Sequence, residues 1–317
     1  MTEKNKLGSK IKLSTQMVLA LVVVALWIFL AIATPRFLTY DNIKNIMRQM
    51  TIQGILGIAA VVVIVTGGID LSVGSVVALV NIVLSLMVSK GANIGSSILY
   101  CLLLSALIGF TNGLMVYDLK LPPFIATLGM MSIARGVTLL ISNGRNVFGL
   151  PRSLADFANS DSLGIPLFFW LLLLVVVGIE VIFRFTKLGR YLFALGSNIE
   201  AARLSGVNIR IVTYAAYILA SVLAGFAGIL ETARLWMGVP TTGTGYELDA
   251  IAAAVIGGAS LSGAEGSALG AFFGALVMTT IYNGSVHLNV NPFWQRVLVG
   301  IIVVAAVGVD QLRKSRQ

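Results

Sequence analysis

Few side chains in this sequence could do chemistry, and most of them are carboxylates near the ends of apolar runs. Asp70 stands in Gly67-Gly68-Ile69-Asp70-Leu71-Ser72, followed by Gly74-Ser75. Two roles fit it. It could cap the helix that follows, since Asp and Ser near a helix start satisfy orphan N–H groups, or act directly, with Ser72 and Gly74, in gating or solute passage. Glu247 and Asp249 open a later apolar helix and are candidates for the same passage. Glu180 precedes Arg184 by four residues, a spacing that suits a local ion pair snorkelling to the membrane surface. Arg135 falls well inside an apolar run, where a tie to backbone carbonyls and a transport role fit equally.

Missing motifs narrow the chemistry. No GxxxxGK[ST] occurs, so the chain has no phosphate-cradling loop and cannot hydrolyse ATP by itself. The one histidine, His287, has no carboxylate or cysteine cluster beside it, which argues against a metal centre. The one cysteine, Cys101, sits in an apolar run and supports neither a disulfide framework nor a metal site. Ion-coupled carriers keep carboxylates or histidines at mid-membrane, and nothing here is spaced as a proton relay. The expectation is no catalytic residue, no metal, and an energy source in another protein.

The elements that position these residues are membrane helices. Of 317 residues 57% are hydrophobic and only 11% charged, against about a quarter charged in soluble domains, and mean hydropathy is +0.94. A formal charge of +9 does not point to nucleic acid, because the basic residues sit in short loops and tails around spans solvated by lipid. Runs of roughly 20 apolar residues predict an all-α polytopic bundle of about ten transmembrane helices, a single domain over 1–317. They lie near Met17–Ala33, Met50–Thr66, Val73–Ser89, Ser96–Val116, Phe124–Ser142, Pro166–Phe183, Val212–Leu230, Leu248–Leu261, Ser267–Ser285 and Phe293–Val309. The eighth is short and rich in Ala and Gly, as a broken or re-entrant segment would be; that is tolerated only where neighbours bury it.

Lys4, Lys6, Lys10 and Lys12 ahead of the first run, and Ala31-Ile32-Ala33 at its end, imitate a signal peptide. The run is longer than a signal core and more spans follow, so it reads as an uncleaved first helix behind a basic tail, residues 1–16. An even count puts both termini on one side. That side holds the tails, Lys120, Arg184, Lys187, Arg190, Arg203 and Arg210, against a smaller set from Arg36 to Arg296 on the other. The excess predicts cytoplasmic termini and places all four tryptophans (Trp27, Trp170, Trp236, Trp294) toward the outer interface.

The chain also echoes itself. Thr66-Gly67-Gly68-Ile69-Asp70-Leu71-Ser72 recurs as Ile256-Gly257-Gly258-Ala259-Ser260-Leu261-Ser262, both on the inner side, as a parallel repeat requires. Asn112-Gly113 with Pro123-Phe124 recurs as Asn283-Gly284 with Pro292-Phe293, on opposite sides.

Residues 184–211 form a strongly basic segment between two long apolar runs, with a helix-forming core Glu200-Ala201-Ala202-Arg203 stopped by Gly206. Positive residues that only orient the chain are one reading. Its length and its terminated helix are explained better by a projecting amphipathic helix that inserts into a groove on a water-soluble partner.

The Glu200-Ala201-Ala202 triplet, three residues, then Gly206 resembles the EAA loop of ABC-importer permeases, without the hydrophobic-Leu-Pro ending usual there. More specific are Gly68-Ile69-Asp70-Leu71-Ser72-Val73-Gly74-Ser75, Pro123-Phe124-Ile125-Ala126-Thr127-Leu128-Gly129-Met130-Met131, Leu188-Gly189-Arg190-Tyr191 and Thr242-Gly243-Thr244-Gly245-Tyr246-Glu247-Leu248-Asp249-Ala250-Ile251. In that order, over nearly the whole chain, they resemble the ribose-type permease family. The resemblance implies an inner-membrane subunit paired with a second copy or a paralogue. It also implies two cytoplasmic ABC ATPase domains that bind the ATP, and an extracytoplasmic sugar-binding protein. Coupling to the ATPase is then expected through Leu195, Gly196, Glu200, Ala201, Ala202, Arg203 and Gly206. Ribose is the first expectation for the solute, with other pentoses, hexoses and autoinducer-2 also within the family. A self-powered carrier or channel, and a membrane scaffold or receptor, are the rival classes.

Overall fold

The computed structural model describes residues 15–291 together with 293–295, 297–298, 300–301, 304 and 308. The four lysines of the basic tail, about half of the tenth predicted span and the C-terminal cations lie outside the described residues. From the N-terminus run α1 (Thr15–Ala33), α2 (Tyr40–Ile64), α3 (Val73–Ser89), α4 (Ile94–Tyr117), α5 (Pro123–Ser142) and α6 (Arg152–Asn159). A two-residue hairpin follows, β1 (Asp161–Ser162) and β2 (Ile165–Pro166), then α7 (Leu167–Phe185), α8 (Lys187–Ser197), α9 (Ile199–Leu204), α10 (Ile209–Leu235), α11 (Tyr246–Ile256) and α12 (Ala268–His287). The molecule is an all-α membrane bundle apart from that hairpin.

Among the described residues seven helices are long and apolar enough to cross a membrane: α1, α2, α4, α5, α7, α10 and α12. The expected count of about ten is not reached among the described residues, which include only part of the tenth predicted span. The third segment keeps its predicted bounds but is only 17 residues long, and the eighth shortens to the 11 residues of α11. At 1.5 Å per residue neither covers the hydrocarbon thickness without help.

The centre is α2, whose residues from Gly54 to Ile64 are all buried. A run with no polar face has no side to turn to lipid headgroups or water, and other helices surround it. Small residues set the approaches. Along α10, Ser105 of α4 meets Gly225, and Gly109 meets the backbone of Tyr217 and Ile218, so these helices run antiparallel. Val77 of α3 packs on Gly228, and Asn81 hydrogen-bonds Thr232 at 3.0 Å, so α3 runs parallel to α10. In lipid, close backbone contact of this kind replaces the hydrophobic drive.

Gly68, just past the end of α2, lies against the Tyr217 hydroxyl in the N-terminal part of α10, so α2 and α10 run in opposite directions. Each is followed by a short helix and then a long one: α2–α3–α4 and α10–α11–α12. This is the pattern of an inverted repeat, and it overturns the parallel repeat. The Asn112 and Asn283 echo falls near the C-terminal ends of α4 and α12, at opposite ends of the bundle, as inversion demands. The diglycine echo does not join equivalent loops. One copy lies between α2 and α3, the other between α11 and α12.

Opposite α8 and α9, the hairpin turns through Leu163 and Gly164, both at positive φ (56° and 79°), as a type I′ two-residue turn requires. Asp161 pins it to α2 through Lys44 at 2.5 Å and Arg48 at 3.4 Å. The Lys44 hydrogen bond, aided by Arg48, holds the Asp161 carboxyl below its usual range. A carboxylate depressed by folding stabilises above its unfolded value and loses that contribution as pH falls through the folded one. In Asp161→Asn the melting temperature should drop slightly at pH 7 and match the parent at the acid end, read by thermal unfolding in detergent. Surface ion pairs are weak and salt-screened, so the shift should shrink further in high salt.

Candidate functional site

The predicted residues fall into two groups, one at the α8–α9 end and one inside the bundle.

At the first, the basic segment folds as two helices. Thr186 caps α8 by accepting from the Gly189 amide at 3.1 Å, and Asn198 caps α9 by accepting from Ala201 at 2.9 Å. Each places an Asn or Thr where orphan donors need an acceptor. The helix ends at Leu204, and Gly206 adopts φ +81°, the left-handed stop. Leu195 and Ala202 are buried against the bundle, while Glu200 and Arg203 are exposed and paired with each other at 2.7 Å. Beside them Ile199 and Leu204 stand 52% and 85% exposed, an apolar surface that the sequence reading passed over.

Gly196 is the inner anchor of this group. A Cβ there would collide with the Val65 carbonyl and lie 2.7 Å from the Ala264 amide nitrogen. Those two groups are hydrogen-bonded to each other at 3.0 Å. The end of α2, the loop leading into α12 and the end of α8 thus meet at one glycine. Nearby, Glu180 pairs with Arg184 at 2.5 Å as expected. It also accepts from the Ala268 amide at 3.0 Å and Leu269 at 3.4 Å, a negative charge on the N-terminus of α12.

In the second group the N-terminal ends of α3 and α11 meet. A Cβ on Gly74 would lie 2.5 Å from a Glu247 carboxylate oxygen and collide with the Gly243 carbonyl. The chain reaches this point from the end of α10 by a non-helical path, residues 236–245, running back down α3 from Ser85 to Gly74. Backbone without helical hydrogen bonds needs donors and acceptors when buried in a bundle. Arg135 of α5 donates to the carbonyls of Pro240 (3.1 Å) and Thr242 (2.7 Å). Asn81 donates to the Met237 carbonyl (3.2 Å) and accepts from the Val239 amide (2.6 Å). Of the two readings of Arg135, the structure contains the tie to backbone carbonyls.

Asp70 is not the cap of α3. Ser72 holds the N-cap position with no side-chain cap bond. Asp70 instead accepts from the amide (2.8 Å) and hydroxyl (2.6 Å) of Ser72, whose hydroxyl accepts from Asn112 of α4 at 3.0 Å. Asp70 and Ser72 thereby link the α2–α3 loop to α4. Asp249 points elsewhere: it accepts from the Tyr282 hydroxyl of α12 at 2.6 Å and lines a cavity at the end of the bundle opposite α8–α9.

That cavity contains residues the sequence reading missed. Asn42, Asn45, Gln49 and Gln53 of α2 line it, at intervals of three, four and four, one face of a helix. The signal was present, but the apolar-run criterion placed the start of this span at Met50 and left three of the four outside it.

Known proteins match this chain closely. Residues 42–307 match the family described as branched-chain amino acid transport system / permease component. The ribose import permease protein RbsC of Escherichia coli K12 is 39% identical over 298 residues, covering 92% of this chain and 93% of that protein. RbsC of Bacillus subtilis strain 168 is 38% identical over 290 residues (91% and 90%). The D-allose transport system permease protein AlsC of E. coli K12 is 34% identical over 302 (95% and 92%). No solved structure matches. With helices that cross a membrane several times, and with likeness to permeases from end to end, the chain belongs to the branched-chain amino acid transport system / permease component family, on its sugar-permease side.

Proposed function

We propose that this chain is the membrane-spanning subunit of a binding-protein-dependent ABC importer, moving a monosaccharide, ribose first, across the inner membrane. A second permease copy or paralogue, two cytoplasmic ATPase domains and an extracytoplasmic sugar-binding protein complete the assembly, and ATP is bound by the ATPases. The end carrying α8 and α9 is the cytoplasmic one. Gln16 near the start of α1 lies beside Ser267 at that end, in keeping with an N-terminus on the same side. Ribose is favoured over the amino acids of the family description because the relatives named above are sugar permeases.

The observation that carries the reading is Gly196 wedged on the Val65–Ala264 junction. The ATPase grips α9 through Ile199, Glu200, Arg203 and Leu204. Movement of the α8–α9 pair is then delivered to α2 and to the entry of α12 together, and both pack on the short helix α11, where Gly57 and Gly274 meet Ala253. Coupling of this kind needs contacts that differ between two states of the bundle.

Reconstitution tests it. Liposomes holding this chain alone should pass no ribose, and adding the ATPase, the binding protein and ATP should start uptake; flux through the lone chain would favour a self-powered carrier. Gly206→Leu sharpens the test. No atom lies within 4 Å of a Cβ at Gly206, so the cost is the left-handed backbone alone, about 1–3 kcal/mol. The variant should reach the membrane and assemble, yet hydrolyse ATP without importing sugar.

A further inference from the structure

The cavity at the end opposite α8–α9 has a volume of about 850 Å³, within the roughly 300–1,000 Å³ of small-molecule sites. Three elements supply most of its polar lining. The outer half of α2 presents Asn45, Gln49 and Gln53, the first turn of α11 presents Asp249, and α12 presents Thr279 and Tyr282. Its rim is closed by Asn42 and Asn283, which exchange hydrogen bonds through their amides at 3.0 and 2.8 Å and are spent on each other.

Amides predominate among the polar groups, with one carboxylate, Asp249. Amides offer a donor and an acceptor on a rigid plane, and a carboxylate offers acceptors only. Gln49 bonds only weakly to Asn45, at 3.3 Å. Thr279 is nearly fully buried, and its hydroxyl has no hydrogen-bond partner among the described residues. An unmatched buried hydroxyl costs free energy unless a ligand or water completes it. Among the described residues Arg234 is the one Lys or Arg lining the cavity; it is engaged by the buried carboxylate of Glu231 at 3.4 Å, and Tyr246 donates to the same carboxylate at 3.1 Å. The described lining residues therefore leave little positive charge to hold an anionic substrate group. Adjacent hydroxyls that each donate and accept match planar amides and a carboxylate, and the Tyr246 and Tyr282 rings in the lining offer apolar surface for the C–H faces between them.

We propose that this cavity is the site where the sugar rests in transit, with Gln49, Gln53 and Asp249 reading its hydroxyls and Thr279 completing its bonds to the ligand. The inference rests on the importer reading above and names the residues through which that importer touches its solute. The site lies on α2 and α12, the two helices joined at Gly196, so the movement that reaches the junction also reaches the sugar.

The chain's lone cysteine supplies the test, because Cys101 is fully buried. Gln49→Cys, or Asn45→Cys if the first does not assemble, puts one accessible thiol in the cavity; Ser96→Cys puts one on the exposed first turn of α4 as control. Each variant is assembled with its ATPase and binding-protein partners. Labelling by a small thiol reagent is then timed with D-ribose, D-allose, D-galactose or L-leucine present. The sugar that the parent complex imports should slow labelling of the cavity cysteine about tenfold at roughly ten times its Kd, and leave Ser96→Cys unchanged. Asp249→Asn in the same background should weaken that protection. Unprotected cavity cysteines in a complex whose parent imports sugar overturn the site while sparing the importer reading. Protection by leucine in place of any sugar overturns the site's assignment to sugars. Import of none of the three sugars overturns the reading beneath it.

Discussion

Gly196→Ala is expected to cost nearly as much as Gly196→Val, and both to abolish sugar uptake. The first atom of any side chain at this position meets backbone, not a side-chain tip that could swing away. It strikes the Val65 carbonyl and the Ala264 amide, 2.7 Å off, which bond each other at 3.0 Å. Overpacking of a buried site costs about 1–3 kcal/mol where neighbours can yield, and here yielding means parting the two loops. Thermal unfolding of the purified subunit should show a lowered midpoint, and proteoliposomes with the full set of partners should show no import. Glu200→Ala is the comparison. Its side chain is exposed and, among the described residues, paired only with Arg203, so the change should leave stability within about 0.5 kcal/mol of the parent and lower uptake alone. An alanine variant of Gly196 that melts and transports as the parent does would remove the junction from the mechanism.

Arg135→Met is the second large effect. Methionine keeps most of the stem and removes the guanidinium, stranding the carbonyls of Pro240 and Thr242 inside the bundle. Each stranded acceptor costs about 1–3 kcal/mol. The 236–245 segment should shift, taking with it the Gly243 and Glu247 contacts on Gly74. Uptake should fall with stability in this variant, and Arg135→Lys should restore part of both, because an ammonium keeps the donors but its shorter, rotatable stem does not hold them where the guanidinium fixes Nη1, which reaches both carbonyls. Unchanged stability in Arg135→Met would mean that other donors hold the segment.

Much of the bundle is legible without coordinates, because an apolar run of spanning length admits few structures in lipid. The bounds of α3 are as expected, and α1, α4, α5 and α7 lie within about two residues of theirs, inside the usual scatter of helix ends. The basic segment is legible for a different reason. A Glu-Ala-Ala core followed by glycine encodes its own start and stop, and α9 ends where that pattern says. Where hydropathy and function diverge, the reading fails. The polar face of α2 lowers the apolar signal over the residues that line the cavity, so the span looked ten residues too short. The path from Trp236 to Gly245 carries no hydrogen-bond periodicity of its own, because its partners, Arg135 and Asn81, come from α5 and α3.

Composition and local pattern determined, by themselves, that the chain lies in a bilayer as helices, lacks a phosphate-cradling loop, and presents a capped helix at one end. Those properties depend on neighbours within a turn or two and on the cost of exposing backbone to hydrocarbon. Tertiary structure alone decided that Gly196 touches both Val65 and Ala264, that Glu247 faces Gly74, and that Asp249 shares a cavity with Gln53 and Tyr282. These pairings join residues far apart in the chain, and only the packing of helices through small side chains brings them together.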